Sequence, residues 1–290
     1  MHLSSRPVHL TPRGRASLAR RGMSLVELLV AVVVLGIIGA ACVRLLISQT
    51  TFYDVQLKKR AARTVSRASV NLMLSEIRMV ERTGGVEAAT STAVTLRVPY
   101  AMGMACGTVG TSSVVALLPT DSTVLAAATP SGHAWRDRNG NYTYTNGSVA
   151  TAAGGAATCN SANISAVPGG RIITLSPALP VGTQAGDPVF LYQRVRYEFA
   201  NSGLLPGRRA LWRTIVDINT RDELAAPFES SARFRFFQFD RDTSDVTATT
   251  SDIQGLELVF NGESQFARAG AFDTERSPFR TSVFFNNRVN

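Results

Sequence analysis

The chain has 290 residues, 45% hydrophobic and 18% charged, with a formal net charge of +9. That charge is unevenly placed: residues 1–22 hold five arginines (Arg6, Arg13, Arg15, Arg20, Arg21) and no carboxylate, which leaves 25 basic against 21 acidic side chains in the rest. So even a balance does not point to nucleic acid as a partner, and His133, the single histidine beyond residue 22, excludes a multi-histidine metal centre there.

The basic stretch ends in Arg20-Arg21-Gly22 and passes at once into an apolar run. From Met23 to Val43, Glu27 is the only charged residue. At about 1.5 Å per residue such a helix is roughly 31 Å long, enough to cross a bilayer core of about 30 Å. An ionisable group costs on the order of 2.5–3.5 kcal/mol at mid-membrane and less near the edge, so Glu27 needs a reason to be there. The arginines before the helix keep that end cytoplasmic and send the rest of the chain outward. A secretory signal peptide fits less well, because its small-residue cleavage site follows a shorter apolar region. A buried core helix would show a polar face. An ordinary signal anchor tethering an exported domain is the simpler alternative.

The segment Arg20-Arg21-Gly22-Met23-Ser24-Leu25-Val26-Glu27 with its apolar run resembles the prepilin signal of type IV pilins and type II secretion pseudopilins. The resemblance implies cleavage by prepilin peptidase between Gly22 and Met23 and N-methylation of Met23. It also implies that Glu27 pairs with the amino terminus of a neighbouring subunit, an exchange that relieves two charges otherwise stranded in lipid. Two features depart from the commonest pattern: Met23 stands where phenylalanine is usual, and Arg44 lies where many major pilins carry a proline. The second tilts toward a minor subunit.

Beyond residue 47 the helix is expected to continue. No glycine or proline occurs from Ser48 to Arg82, and Phe52, Val55, Val65, Leu72, Met73, Ile77 and Val80 recur at helical spacing opposite Lys58, Lys59, Arg60, Arg63, Arg67, Glu76 and Arg78. Thr83-Gly84-Gly85 ends it, with glycine suited to a left-handed cap. Gly36 and Gly39 permit either a bend or close packing against other helices. The resulting domain plan is a leader (1–22), a transmembrane helix (23–47), an amphipathic continuation (48–83) and an extracytoplasmic β-rich head (84–290).

In the head, strands are expected at Ala93–Val98, Ser113–Leu118, Arg171–Leu175, Val189–Phe199, Ala210–Asp217, Arg233–Phe239, Ile253–Phe260 and Thr281–Phe285. Asn201-Ser202-Gly203 between two runs suggests an antiparallel hairpin. With no βαβ alternation, the fold class is α+β: a long N-terminal helix on an antiparallel sheet. Residues 102–170, rich in Ala, Thr, Ser and Gly, read as an irregular loop. Cys106 and Cys159 lie in the exported part, where an oxidising compartment permits a disulfide closing about 50 residues, worth roughly 4 kcal/mol in the chain-entropy model. Two free thiols or a cross-link to another chain remain the alternatives. Cys42, in the membrane segment, reads as a packing residue.

The strand order Tyr197-Glu198-Phe199, Leu211-Trp212-Arg213, an aromatic strand and Thr281-Ser282-Val283-Phe284-Phe285-Asn286-Asn287 resembles the larger minor subunits, the W-type minor pilin and the J-type minor pseudopilin. No cofactor is expected. His133, in Ser131-Gly132-His133-Ala134-Trp135, reads as a surface loop histidine. Asp137-Arg138-Asn139-Gly140-Asn141 only faintly resembles a calcium loop and reads as a polar turn. The arginine–phenylalanine alternation of Arg233–Phe239 reads as an amphipathic strand rather than a stacking surface for single-stranded nucleic acid. Together these features imply a non-enzymatic filament subunit whose partners are prepilin peptidase, other pilin or pseudopilin subunits and the inner membrane. A membrane-anchored binding or adhesion module and a competence pseudopilin for DNA uptake are the rival readings.

Overall fold

The computed structural model describes residues 24–152, 156–165, 167–239, 241–267 and 272–285. They form an α+β fold in two units, divided between Tyr53 and Asp54. The first helix, α1, is assigned from Leu25 to Ile77. In the first unit every described residue is exposed, and the helix passes through Gly36 and Gly39 without interruption.

In the second unit the helix buries one stripe: Ala62, Ser66, Ser69, Val70, Met73 and Ile77. Steps of three and four put these residues on one face. Two large residues expected on it, Phe52 and Leu72, are exposed, and small residues hold the first half of the stripe. The reason lies across the interface. A Cβ at Gly262 would overlap the Ala62 carbonyl oxygen and come within 2.7 Å of Ser66 Oγ. Ser66 Oγ in turn donates to the Phe260 carbonyl at 3.2 Å. Helix backbone therefore lies directly on strand backbone here, and a bulky side chain would hold the two apart.

The helix ends at Ile77, earlier than the glycine pair at 84–85 suggested. Its ladder tightens there: the Arg78 amide still donates four residues back to Leu74, but those of Met79 and Val80 donate three back, to Glu76 and Ile77. The chain then turns beneath Gly85, where a Cβ would overlap the Glu81 carbonyl. The glycines serve this turn rather than the helix cap.

Thirteen strands among the described residues form one antiparallel sheet: β1 (Val86–Ala89), β2 (Ala93–Val109), β3 (Ser112–Leu117), β4 (Gly132–Arg136), β5 (Tyr142–Asn146), β6 (Val149–Ala152), β7 (Arg171–Ser176), β8 (Pro188–Asn201), β9 (Arg209–Ile215), β10 (Thr220–Phe228), β11 (Arg233–Gln238), β12 (Ile253–Ala267) and β13 (Thr274–Phe284). The main path is β11-β12-β10-β9-β8-β2-β3-β7-β6, with β1 on β2, β13 on β12, β4 on β8 and β5 on β4. Two short helices, α2 (Pro119–Ala127) and α3 (Ala156–Ser161), lie in the connections.

Strands β2 and β8 are the long central pair, in register from Ala93–Glu198 to Met104–Pro188 with an irregularity between Pro99 and Ala101. Their two ends serve two cores. One end packs under α1: Met73 and Ile77 meet Leu96, Tyr197, Leu211 and the phenylalanines 228, 234, 236 and 260. Phe199 lies 5.4 Å from Phe228 and 5.3 Å from Phe260, both edge to face. Each such ring, fully buried, contributes about 1.5–3 kcal/mol of hydrophobic stabilisation. Glu76 of α1 fastens the helix laterally, accepting from Arg213 Nη2 at 2.7 Å and from the Tyr197 hydroxyl. The other end builds a second core from Ala105, Val115, Leu117, Ile173, Leu175, Val189 and Leu191.

Residues 102–170, expected as an irregular loop, carry the second half of β2, then β3, α2, β4, β5, β6 and α3. Strands β4, β5 and β6 are short, and β4 and β6 find partners outside this stretch: β4 adds to β8, and β6 to β7. The order is imposed by long-range partners that local composition does not display.

Candidate functional site

Among the described residues, the start of α1 is a region whose side chains fit neither core nor ordinary surface. Ser24 caps it: its Oγ accepts from the Val26 amide at 3.3 Å, and its carbonyl from the Leu28 amide at 3.1 Å. Glu27 falls in the first helical turn, where the positive end of the helix dipole favours a carboxylate. The Ser-x-x-Glu spacing is that of a capping box, a local role for Ser24 that the reading of the sequence did not notice. Glu27 makes no ion pair with any described residue.

From Leu28 to Val43 the helix is apolar around its whole circumference. Leu25, Leu29, Val33, Leu35, Ile37, Ile38 and Val43 are all more than half exposed, and nothing lies within 4 Å of where a Cβ would sit on Gly36 or Gly39. This helix is long and apolar enough to cross a membrane. Left in water, a surface of this size would drive association. Its chemistry is thus that of a membrane anchor or of one strand in a bundle of like helices, with a single negative group at its mouth. Gly22 and Met23, the expected cleavage and methylation positions, lie outside the described residues. Cys42, expected as a packing residue, is a free, exposed thiol on this apolar surface.

Cys106 of β2 and Cys159 of α3 are joined as a disulfide across a sequence separation of 53. The bridge pins α3 to the sheet beside Val114 and Ala116. The reduced chain can release α3 while β3 and β7 remain paired, so Cys106→Ser is expected to cost about 2 kcal/mol, the low end for such loops. Denaturant unfolding of the variant tests the cost. Faster proteolysis confined to residues 147–170 tests the localisation.

His133, expected on the surface, is fully buried on β4. Its Nδ1 is 2.7 Å from Ser148 Oγ, and its Nε2 has no partner. Burial pushes its pKa down to about 4. The ring is neutral when folded, whereas an unfolded chain takes up a proton below about pH 6.5. Stability should therefore fall as pH drops from about 6.5 to about 4, by at most about 1.4 kcal/mol per pH unit, and level off below. Urea unfolding of the native chain and of His133→Gln across this range checks it: only the native chain should show that slope.

The Asp137–Asn141 segment is a polar turn joining β4 to β5. Asp137 accepts from the Asn141 backbone amide at 2.7 Å and from its side-chain amide at 3.1 Å, and the Asn141 backbone bond leads in holding the carboxyl below the usual range. The Arg–Phe run is an amphipathic strand: Phe234 and Phe236 are wholly buried, and Arg235 pairs with Glu257 at 3.1 Å. Among the described residues no cluster of three or more His, Cys, Asp or Glu side chains is placed to hold a metal.

Comparison with known families places a match over residues 18–43, to the family model described as the prokaryotic N-terminal methylation motif. The chain thus carries the type IV pilin and pseudopilin signal, spanning Gly22, Met23 and Glu27. No curated protein and no solved structure was found to match the chain.

Proposed function

We propose that this chain, which carries a pilin-type methylation motif, is a minor pilin or minor pseudopilin of the W-type or J-type kind, a structural subunit of a type IV pilus or type II secretion filament. The observation that carries the reading is the placement of Glu27: a lone carboxylate in the first turn of α1, at the mouth of an apolar run that extends to Val43, within the matched motif at residues 18–43. The minor role draws on Arg44, which stands where major pilins often have proline, and on the size of the β-rich head.

The steps follow from charge and burial. Before processing, the five leader arginines hold the subunit in the inner membrane with its head outside. Prepilin peptidase cuts after Gly22 and the new amino group on Met23 is methylated. That group meets Glu27 of an adjacent subunit, and the apolar helices pack side by side, with Gly36 and Gly39 admitting close approach. The heads form the outer surface. The test is fractionation of the native host: the processed chain should appear in sheared or detergent-extracted filaments, and a strain lacking prepilin peptidase should hold it uncut in the membrane. Uncut chain in filaments, or processed chain never found with other subunits, would contradict the proposal.

A further inference from the structure

The head contains a cavity of about 410 Å³ between the turn after α1, the middle of β2 and the β4–β5 hairpin. That volume is within the range of roughly 300–1,000 Å³ typical of small-molecule sites. One wall is aromatic. Tyr142 and Tyr144, two apart on β5, present their rings on one face of the strand, stacked with centroids 6.2 Å apart and planes 27° apart. Phe190 and Tyr192 of β8 back them at 5.8 and 5.6 Å. Tyr142 and Tyr144 belong to neither hydrophobic core: Tyr144 packs on Gly84 and under Arg97, Tyr142 under Arg136, and both remain half-buried at the cavity wall.

The rest of the lining carries two guanidiniums, Arg78 and Arg97, and two carboxylates, Glu81 and Asp121. Their formal charges cancel. Arg97 sits over the Tyr144 ring at 5.1 Å and donates through Nη1 to the Gly84 carbonyl at 2.6 Å, yet its Nε is buried without an acceptor. Asp121 accepts from the Met102 amide at 2.8 Å and Glu81 from the Tyr142 hydroxyl at 2.9 Å.

This combination selects a chemistry. A cation meets the two arginines, an anion meets the two carboxylates, and an apolar ligand would strip water from four charged groups and return no hydrogen bonds. A ligand without net charge fits this lining best, and one with a C–H face for the tyrosines and hydroxyls that both donate and accept meets all of it. We propose that this cavity binds a neutral hexopyranose, free or at the end of a glycan, lying against the wall of Tyr142 and Tyr144, with ring hydroxyls donating to the carboxylates of Asp121 and Glu81. The site does not depend on filament assembly.

Saturation-transfer NMR on the full chain in a sugar-free zwitterionic detergent tests this, with methyl glucoside, methyl galactoside, methyl mannoside, maltose and lactose as probes, and glucuronate and choline as charged controls. Transfer to the C–H protons of at least one neutral probe is expected, and stronger binding of a disaccharide than of its monosaccharide would indicate a glycan end. Tyr142→Ala should weaken binding about tenfold. Met79→Trp, a change at an exposed lining residue outside both cores, should block it with the melting temperature unchanged. No transfer to any neutral probe, stronger transfer to a charged control, or unaltered binding in Met79→Trp would overturn the proposal.

Discussion

Replacing Glu27 with valine should leave the chain in the membrane and remove it from filaments. Valine makes the segment more apolar and relieves a charge that costs on the order of 2.5–3.5 kcal/mol at mid-bilayer, so insertion is expected to be unchanged or slightly improved. What disappears, on the proposed assembly, is the partner for a neighbouring subunit's amino terminus. Close charge pairs at protein interfaces show coupling energies of about 1.5–7 kcal/mol. Incorporation should therefore drop at least about tenfold, measured as the ratio of filament-bound to membrane-bound chain. Ser24 still caps the helix and α1 is otherwise untouched, so the variant should keep its helical content. Normal incorporation of the valine variant would show that Glu27 serves only the helix end.

The largest single effect on stability is expected at Gly262. A Cβ there collides with backbone, the Ala62 carbonyl oxygen, rather than with a movable side-chain tip. Neither side can yield cheaply, since Gly262 is paired with Ser277 on β13 and with Phe228 on β10. Gly262→Val should cost more than about 3 kcal/mol, the upper end for overpacking, by lifting residues 62–77 of α1 from the sheet. Loss of the Ser66-to-Phe260 hydrogen bond and exposure of Met73 and Ile77 should accompany it. Hydrogen exchange over residues 62–77 and the denaturation midpoint both report on this. A variant as stable as the native chain, with those amides still protected, would refute the backbone contact.

The two halves of the chain were unequally legible. In the N-terminal segment the signal is compact: glycine, carboxylate and apolar run sit at fixed spacing, and one helix forms without help from distant residues. Strands β8, β9 and β11 were visible because alternation such as Arg233-Phe234-Arg235-Phe236 survives in the structure, with Phe234 and Phe236 inward. Strands β5, β6 and β10 were not. Thr220–Phe228 carries Arg, Asp and Glu near its start and forms through its register with β9. Side-chain size does not mark the buried stripe of α1: Phe52 and Leu72 are exposed, whereas contact with Gly262 selects Ala62 and Ser66. His133 was misplaced for a similar reason: a Ser-Gly-His-Ala stretch looks like a loop until β8 supplies a partner for it. Gly22 and Met23 lie outside the described residues, so the roles proposed for them come from resemblance alone, within the matched residues 18–43. The Cys106–Cys159 pair needed the course of the chain between β2 and α3 to be decided.

A processed filament element and a plain anchor differ at their first residue. The mass of the N-terminal peptide in membranes of the native host, with and without prepilin peptidase, therefore separates them. A peptide beginning at N-methylated Met23 is expected only when the peptidase is present. An uncut leader in both strains would contradict it and leave the head as a membrane-tethered binding domain.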